Sequence, residues 1–309
     1  MATDARKVVV TGATGLIGRR LCQRLAEQGY HVIVFSRNPA TARKAVPEAR
    51  EWVAWEPAAT GPWASALDGV HGVVSLAGAP IIGKRWTDAY KREIHDSRVI
   101  GTRGLVDAIR AAHDKPRVFV GGSAIGYYGF RGDEKLDEGA APGDDFLARV
   151  CVDWEAEALK AQELGVRVAV ARTGVVLSTS EGALPQMLLP FKFFAGGPVL
   201  PGTQWVSWVH LEDEVGIILT ALENDDARGP INATAPEPQR NRDFERTLGK
   251  VYGTPSWFPV PGIGLKLALG EVADMLTRGQ RVIPTEATSL GYTFQYPTAE
   301  AALRNLLKK

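Results

Sequence analysis

A chain of 309 residues can build two lobes or one large domain, and 45% hydrophobic with 23% charged residues is the mixture of a globular protein, not a disordered one. Thirty-six basic against 35 acidic residues leave a formal charge of +1, so no global field attracts a polyanion and nucleic acid is not expected as a partner. Two cysteines and five scattered histidines exclude a disulfide framework and leave no expected metal site, while the lack of any apolar run near the roughly 18 residues of a membrane span predicts a cytoplasmic protein without membrane contact.

In chain order, Val8 to Val10 is predicted as a buried strand, Leu16 to Gln28 as a helix, and His31 to Phe35 as a second strand. Further strands are expected at Val73 to Leu76, Val118 to Val120 and Val166 to Ala171, with helices at about Lys91 to Ala112 and Phe146 to Leu164. This βαβ alternation predicts an α/β fold with a Rossmann-type, doubly wound parallel sheet. Gly182 to Gly202, rich in Gly, Pro and Leu, is expected to be irregular and to lead into a second lobe. Trp205 to Glu223 is predicted as a strand feeding a helix, and Ile231 to Ala233 as a returning strand. Helical patterns follow at Asn241 to Tyr252, Gly264 to Arg278 and Thr298 to Leu307. The expected organisation is a nucleotide-binding domain over 1–175, to which 205–233 returns, and a smaller C-terminal substrate lobe from 176–204 and 234–309.

The strongest local signal is Val-Val-Val-Thr-Gly-Ala-Thr-Gly-Leu-Ile-Gly from Val8 to Gly18, which sets three glycines between a strand and a helix. Within a βαβ unit of about thirty residues this pattern points to a dinucleotide. Gly12 is expected to make the tight turn, Gly15 to admit the pyrophosphate, and Gly18 to let helix and sheet approach. Thr14, Leu16 and Ile17 complete the expected cradle, and the helix N-terminus supplies N–H groups and partial positive charge to the phosphates. Some twenty residues on, the acidic residue of an NAD site is replaced by Ser36-Arg37. Arg37 matches a ribose 2′-phosphate, with the Ser36 hydroxyl assisting, so NADP is expected in preference to NAD. Arg19, Arg43 and Lys44 are expected to be solvated.

On these residues the chain resembles the extended short-chain dehydrogenase/reductase family, which includes nucleotide-sugar epimerases and dehydratases. Leu76-Ala77-Gly78 resembles the family's segment that closes the fourth strand against the cofactor. Gly122-Ser123-Ala124-Ile125-Gly126-Tyr127-Tyr128-Gly129 resembles its serine segment, and Trp208-Val209-His210-Leu211-Glu212-Asp213 its His-Val-x-Asp segment. Lys84-Arg85-Trp86, Ser97-Arg98, Trp154-Glu155 and Arg172-Thr173-Gly174 add a resemblance to an atypical epimerase-family subgroup of NADP-dependent oxidoreductases with a distinctive C-terminal domain, matched here by Pro236 to Leu307.

The departure from that family lies at Asp145 to Glu155, where it carries Tyr-x-x-x-Lys. Depending on register, the tyrosine position falls on Phe146 or Leu147 and the lysine position on Val150 or Cys151, none of them an acid–base pair. Ser123, Tyr127 and Tyr128 are the expected catalytic substitutes, although the family's serine aligns with either Ser123 or Ala124. Lys84, Arg85 and Trp86 are the expected substrate-binding residues. Arg98 either bridges strands, faces the site or is solvated, and His210 is expected to have a structural or capping role beside Asp213. The resemblance also implies a homodimer through the helices at 91–112 and 146–164. Two functions lead: an NADP-dependent, epimerase-like oxidoreductase of a small carbonyl or alcohol, or an NADP-binding sensor that has lost turnover; a true nucleotide-sugar epimerase ranks third, because that chemistry leans on the missing tyrosine.

Overall fold

The computed structural model describes residues 6–58 and 61–308; Met1 to Ala5, at the start of the expected nucleotide domain, lie outside the described residues. Seven strands form the central sheet: β1 (Lys7–Thr11), β2 (His31–Ser36), β3 (Glu51–Ala54), β4 (Gly72–Ser75), β5 (Val118–Ala124), β6 (Arg167–Thr173) and β7 (Gly229–Ala233). Their spatial order is β7-β6-β5-β4-β1-β2-β3, and every neighbouring pair is parallel. Most of these strands are Val- and Ile-rich runs buried on both faces, as a helix-covered parallel sheet requires. The chain runs outward to β3 and then returns to β4 beside β1. A crevice therefore opens at the carboxyl ends of β1 and β4, where ligands bind in such sheets.

The helices are α1 (Leu16–Glu27), α2 (Pro39–Ala45), α3 (Asp88–Ala111), α4 (Phe146–Leu159), α5 (Ala183–Lys192), α6 (Leu211–Glu223), α7 (Asn241–Tyr252), α8 (Gly262–Leu269), α9 (Asp274–Thr277), α10 (Thr285–Ser289) and α11 (Ala299–Leu307). One sheet face is filled by Leu21 and Leu25 of α1 with Ile218 and Leu222 of α6. The other is filled by Leu105 and Ile109 of α3 with Ala158 of α4. A third cluster, including Leu184, Phe191, Trp208, Phe244 and Leu303, joins α5, α7 and α11.

Gly182 to Gly202, expected to be irregular, contains α5. Leu184, Leu188 and Phe191 recur at helical spacing on its buried face, and Pro185 falls in the first turn, where its missing N–H costs little. The segment Gly264 to Arg278 is not one helix: a 3₁₀ turn from Gly270, at φ +65°, separates α8 from α9. α2 and β3 were not anticipated; Asn38 caps α2 by accepting from the Thr41 N–H at 3.0 Å, with Pro39 at its start. Among the described residues no helix is long and apolar enough to cross a membrane.

Candidate functional site

The glycine loop is tied to the neighbouring strand before any ligand is considered. Thr11 Oγ1 at the end of β1 accepts from the N–H groups of Leu76 (3.1 Å) and Ala77 (3.2 Å). Gly12 stands at φ +67°, and a Cβ there would lie 2.7 Å from the Leu76 carbonyl carbon. A Cβ on Gly18 would lie 2.3 Å from the Gly12 oxygen, so that glycine is required by packing of helix on loop. Gly15 differs: its Cβ would meet only the Gly12 oxygen, at 3.3 Å, and the remaining space is open. α1 then starts at Leu16 with no side-chain cap and no acid in its first turn. Its first N–H groups are thus available to an anion, and the cradle fits a dinucleotide pyrophosphate. Thr14 is exposed, and its carbonyl accepts from Arg19 Nη1 at 2.5 Å. Arg19, expected to be solvated, is also paired with Glu181 at 2.8 Å.

At the end of β2, Arg37 is exposed and pairs with no carboxylate among the described residues. The Ser36 hydroxyl accepts from the Asn38 N–H at 3.2 Å, which shapes this turn. Arg43 stacks on Trp52 at 5.0 Å.

A cavity of about 520 Å³ runs from beside the loop, at Ile17, to Met275, Arg278 and Gln280. Ile17 and Leu76 form its near side, Ser123 to Gly126 and Thr173 to Val175 its floor, and Met275, Arg278 and Gln280 its far side. The floor follows from strand register: Ser123 pairs with Arg172 and Ala124 with Thr173, so both strands end at one level.

Ser123 lines this cavity but does not hold a free proton. Its hydroxyl donates to Glu155 Oε1 at 2.6 Å. Glu155 also accepts from Arg172, Nε to Oε1 and Nη2 to Oε2, both at 2.8 Å, a bidentate fork with side chains 8% and 3% exposed. Burial works against the Arg172 charge, but the hydrogen bonds and charge of Glu155 outweigh it, and the guanidinium pKa is raised. Arg172 Nη1 donates to the Tyr128 hydroxyl at 2.9 Å, which in turn donates to Asn232 Oδ1 at 2.6 Å.

This network corrects the expectation for the two tyrosines. Tyr128 is fully buried, its hydroxyl is committed on both sides, and burial pushes its pKa up to about 12, so it does not present a donor to substrate. Tyr127 lies with its ring 3.4 Å from the Arg172 Cζ, and neither tyrosine lines the cavity. The aromatic pair supports the buried arginine instead. Cys151 lines the cavity as a neutral thiol, its pKa pushed up to about 11 by burial and the nearby Glu155 charge.

Lys84, Arg85 and Trp86 are also displaced from their expected role. Lys84 Nζ sits 4.8 Å from the Tyr90 ring centroid, Arg85 lies against Gly270, and Trp86 donates to the Ile81 carbonyl at 2.9 Å. Trp86 packs edge-on against Phe146, 5.3 Å between centroids, which turns the segment into a support for the preceding residues. Pro80, Ile81 and Ile82 line the cavity in its place. Gly78 lies against Arg98, which is 9% exposed and also lines the cavity. His210 caps α6 through Nδ1, which accepts from the Glu212 N–H at 3.0 Å.

The sequence reading missed Glu155 and Arg172 as a pair, although both stood inside quoted motifs. Their signal is an acid on the Cys151–Trp154–Ala158 face of α4 and a cation closing an otherwise apolar strand. It also missed Glu214, fully buried below the cavity floor, whose Oε1 accepts from the Thr173 hydroxyl at 2.7 Å. Burial pushes its pKa up to about 8. The folded state then holds a proton that the unfolded chain releases, so between the ordinary glutamate range and pH 8 this group reduces stability by about 1.4 kcal/mol per unit of rising pH. Glu214→Gln is therefore expected to flatten the fall in unfolding free energy between pH 5 and pH 8, measured by urea titration; an unchanged slope would show that Glu214 is ionised in the fold.

The comparisons with known proteins cover the same span. Residues 8–233 match the NAD dependent epimerase/dehydratase family, and residues 260–306 match a domain of unknown function, DUF1731. The chain is 43% identical over 303 residues to the chloroplastic epimerase family protein SDR39U1 homolog of Arabidopsis thaliana, covering 97% of this chain and 86% of that one. It is 38% identical to the epimerase family protein YfhF of Bacillus subtilis, with 97% of each covered. The crystal structure of human epimerase family protein SDR39U1 (isoform 2) with NADPH superposes with a TM-score of 0.88 at 33% identity, covering 98% of this chain and 99% of that chain. With the glycine cradle, the strand order and these matches agreeing, the chain belongs to the NAD dependent epimerase/dehydratase family, in its extended short-chain dehydrogenase/reductase subgroup that carries the DUF1731 domain.

Proposed function

We propose that the protein is an NADP-dependent oxidoreductase of a small alcohol or carbonyl compound. The observation that carries the reading is that Ile17 and Leu76, next to the cradle at Gly15, also line the cavity whose floor carries Ser123, while the β2 end is acid-free with Arg37 exposed. The NADPH in the human relative's structure supports the choice of cofactor. Leu16 and Ile17 N–H groups would hold the pyrophosphate and Arg37 the 2′-phosphate, and the apolar Ile17 and Leu76 side chains would keep water from the reacting end. The bound cofactor supplies hydride transfer. Ser123 positions the substrate oxygen, and Glu155, 2.6 Å behind it, is the acceptor to which the alcohol proton passes through the serine hydroxyl. Arg172 holds that carboxylate in place through its bidentate fork.

Calorimetric titration with NADP⁺ and NAD⁺ tests the cofactor. Wild type is expected to prefer NADP⁺, and Arg37→Ala to lose about ten-fold or more in NADP⁺ affinity with NAD⁺ little changed, the effect of removing a hydrogen bond to a charged group. Binding of neither nucleotide, or equal effects on both, would refute the assignment. The absence of Tyr-x-x-x-Lys and the burial of the Tyr128 hydroxyl favour a second reading, a nucleotide-binding sensor without turnover. Substrate-dependent change in nicotinamide absorbance across a panel of alcohols and carbonyls decides between the two.

A further inference from the structure

We propose that the cavity takes a substrate bearing a carboxylate, seated on Arg98; this deepens the oxidoreductase reading and rests on it. Arg98 is 9% exposed on the inner face of α3 and lines the cavity. One of its nitrogens, Nη1, donates to the carbonyls of Ala79 and Ile94, both at 3.0 Å. Among the described residues no carboxylate pairs with it, and Nε and Nη2 have no protein acceptor. The other buried arginines are treated differently. Arg172 is forked onto Glu155, and Arg167 spreads two nitrogens over three carbonyls, those of Ala221, Leu222 and Ala227. A buried guanidinium with free donors is costly unless an anion arrives to meet it.

The surroundings are shaped for this cation. A Cβ on Gly78 would lie 2.7 Å from the Arg98 Cζ, so glycine makes the room the guanidinium occupies. Its face stacks on Trp154 at 5.2 Å, and Trp154 is held in turn by donation to Thr102 Oγ1 at 2.9 Å. That ring packs on Gly122, where a Cβ would come within 2.8 Å. Arg98 and Ser123 therefore flank the same ring-backed wall. The other charged groups facing the cavity are Arg278, which stacks on Phe130, and Asp145, whose Oδ1 is engaged by the Ala148 N–H, so the wall has a net positive charge. The buried cation with free donors suits a planar carboxylate, Arg278 being exposed at the cavity's far side, and Ile81, Ile82, Leu147 and Val150 offer an apolar surface for the rest of the molecule.

Calorimetry with benzoate and 3-phenylpropanoate, against their neutral amides, tests this on the full chain with and without saturating NADP⁺. Wild type is expected to bind the carboxylates about ten-fold or more tightly than the amides, Arg98→Gln to lose that preference, and Arg98→Lys to keep part of it. Should Arg98→Gln fail to fold, Arg98→Lys carries the comparison, its preference being expected below wild type. No preference in wild type, or the same preference in every variant, overturns the proposal. Loss of NADP⁺ affinity in Arg98→Gln without any carboxylate preference would assign the guanidinium to the nucleotide and also overturn it. Because the carboxylates are titrated without nucleotide as well, failure of NADP⁺ to bind wild type refutes the cofactor reading separately.

Discussion

Arg172→Met is expected to cost the fold about 3–5 kcal/mol, because it leaves the Glu155 carboxylate buried with no cation to meet it. The side chains of the pair are 3% and 8% exposed, so solvent cannot take over the missing interaction. The same change removes the Nη1 donor from the Tyr128 hydroxyl and the cation from beneath the Tyr127 ring. A second substitution, Glu155→Gln, removes the stranded charge and is expected to restore a large part of the loss, since a neutral amide costs less to bury than a carboxylate. Urea unfolding of wild type, both single variants and the double variant measures this coupling. A single-variant cost under about 1 kcal/mol would mean that water reaches the pair as it does an exposed one.

Alanine at Gly18 and at Gly15 is expected to separate what the loop owes to the fold from what it owes to the ligand. Helix propensity alone favours alanine over glycine by about 1 kcal/mol. At Gly18 the new methyl would meet the Gly12 carbonyl oxygen at 2.3 Å, a backbone atom that cannot turn aside. We expect a net loss of about 1–3 kcal/mol together with loss of nucleotide binding. At Gly15 the nearest atom is 3.3 Å away, so the fold is expected to stay within about 0.5 kcal/mol of wild type. The methyl would nevertheless occupy the phosphate's approach, and NADP⁺ affinity is expected to fall about ten-fold or more through lost charge-assisted hydrogen bonds. Unfolding with and without NADP⁺ reads both effects, because a bound ligand raises apparent stability in proportion to its affinity. If Gly15→Ala binds NADP⁺ like wild type, the pyrophosphate does not lie on this turn.

The parts of the molecule legible in the sequence are those set by neighbours along the chain. The β-branched runs, the intervening helices and the turn at Gly12 depend on side-chain periodicity and on backbone angles within a few residues. The parallel, helix-covered character of the sheet follows from them, because parallel strands need crossovers and crossovers have one hand, whereas its seven-strand order, including the short strand Glu51–Ala54, does not. α5 is not legible in the sequence, because the proline and glycine around it mask the helical spacing of Leu184, Leu188 and Phe191. At the site, the run Ser123 to Tyr128 was recognisable as a unit, but the separate fates of its hydroxyls were not. Ser123 meets Glu155 across 32 residues, and Tyr128 meets Asn232 across 104.

By itself, the sequence determined the nucleotide-type sheet, the position of its phosphate turn, the missing tyrosine–lysine pair and the cation at the end of β2. Tertiary structure alone decided that Tyr128 is spent inside the protein, that Ile81 and Ile82 rather than Lys84 to Trp86 line the cavity, and that Arg172 has a buried acid while Arg98 has none. The physical reason is the range of the interactions. Backbone conformation and apolar period are local, whereas the cost of a buried charge depends on which distant side chain the packing brings to meet it.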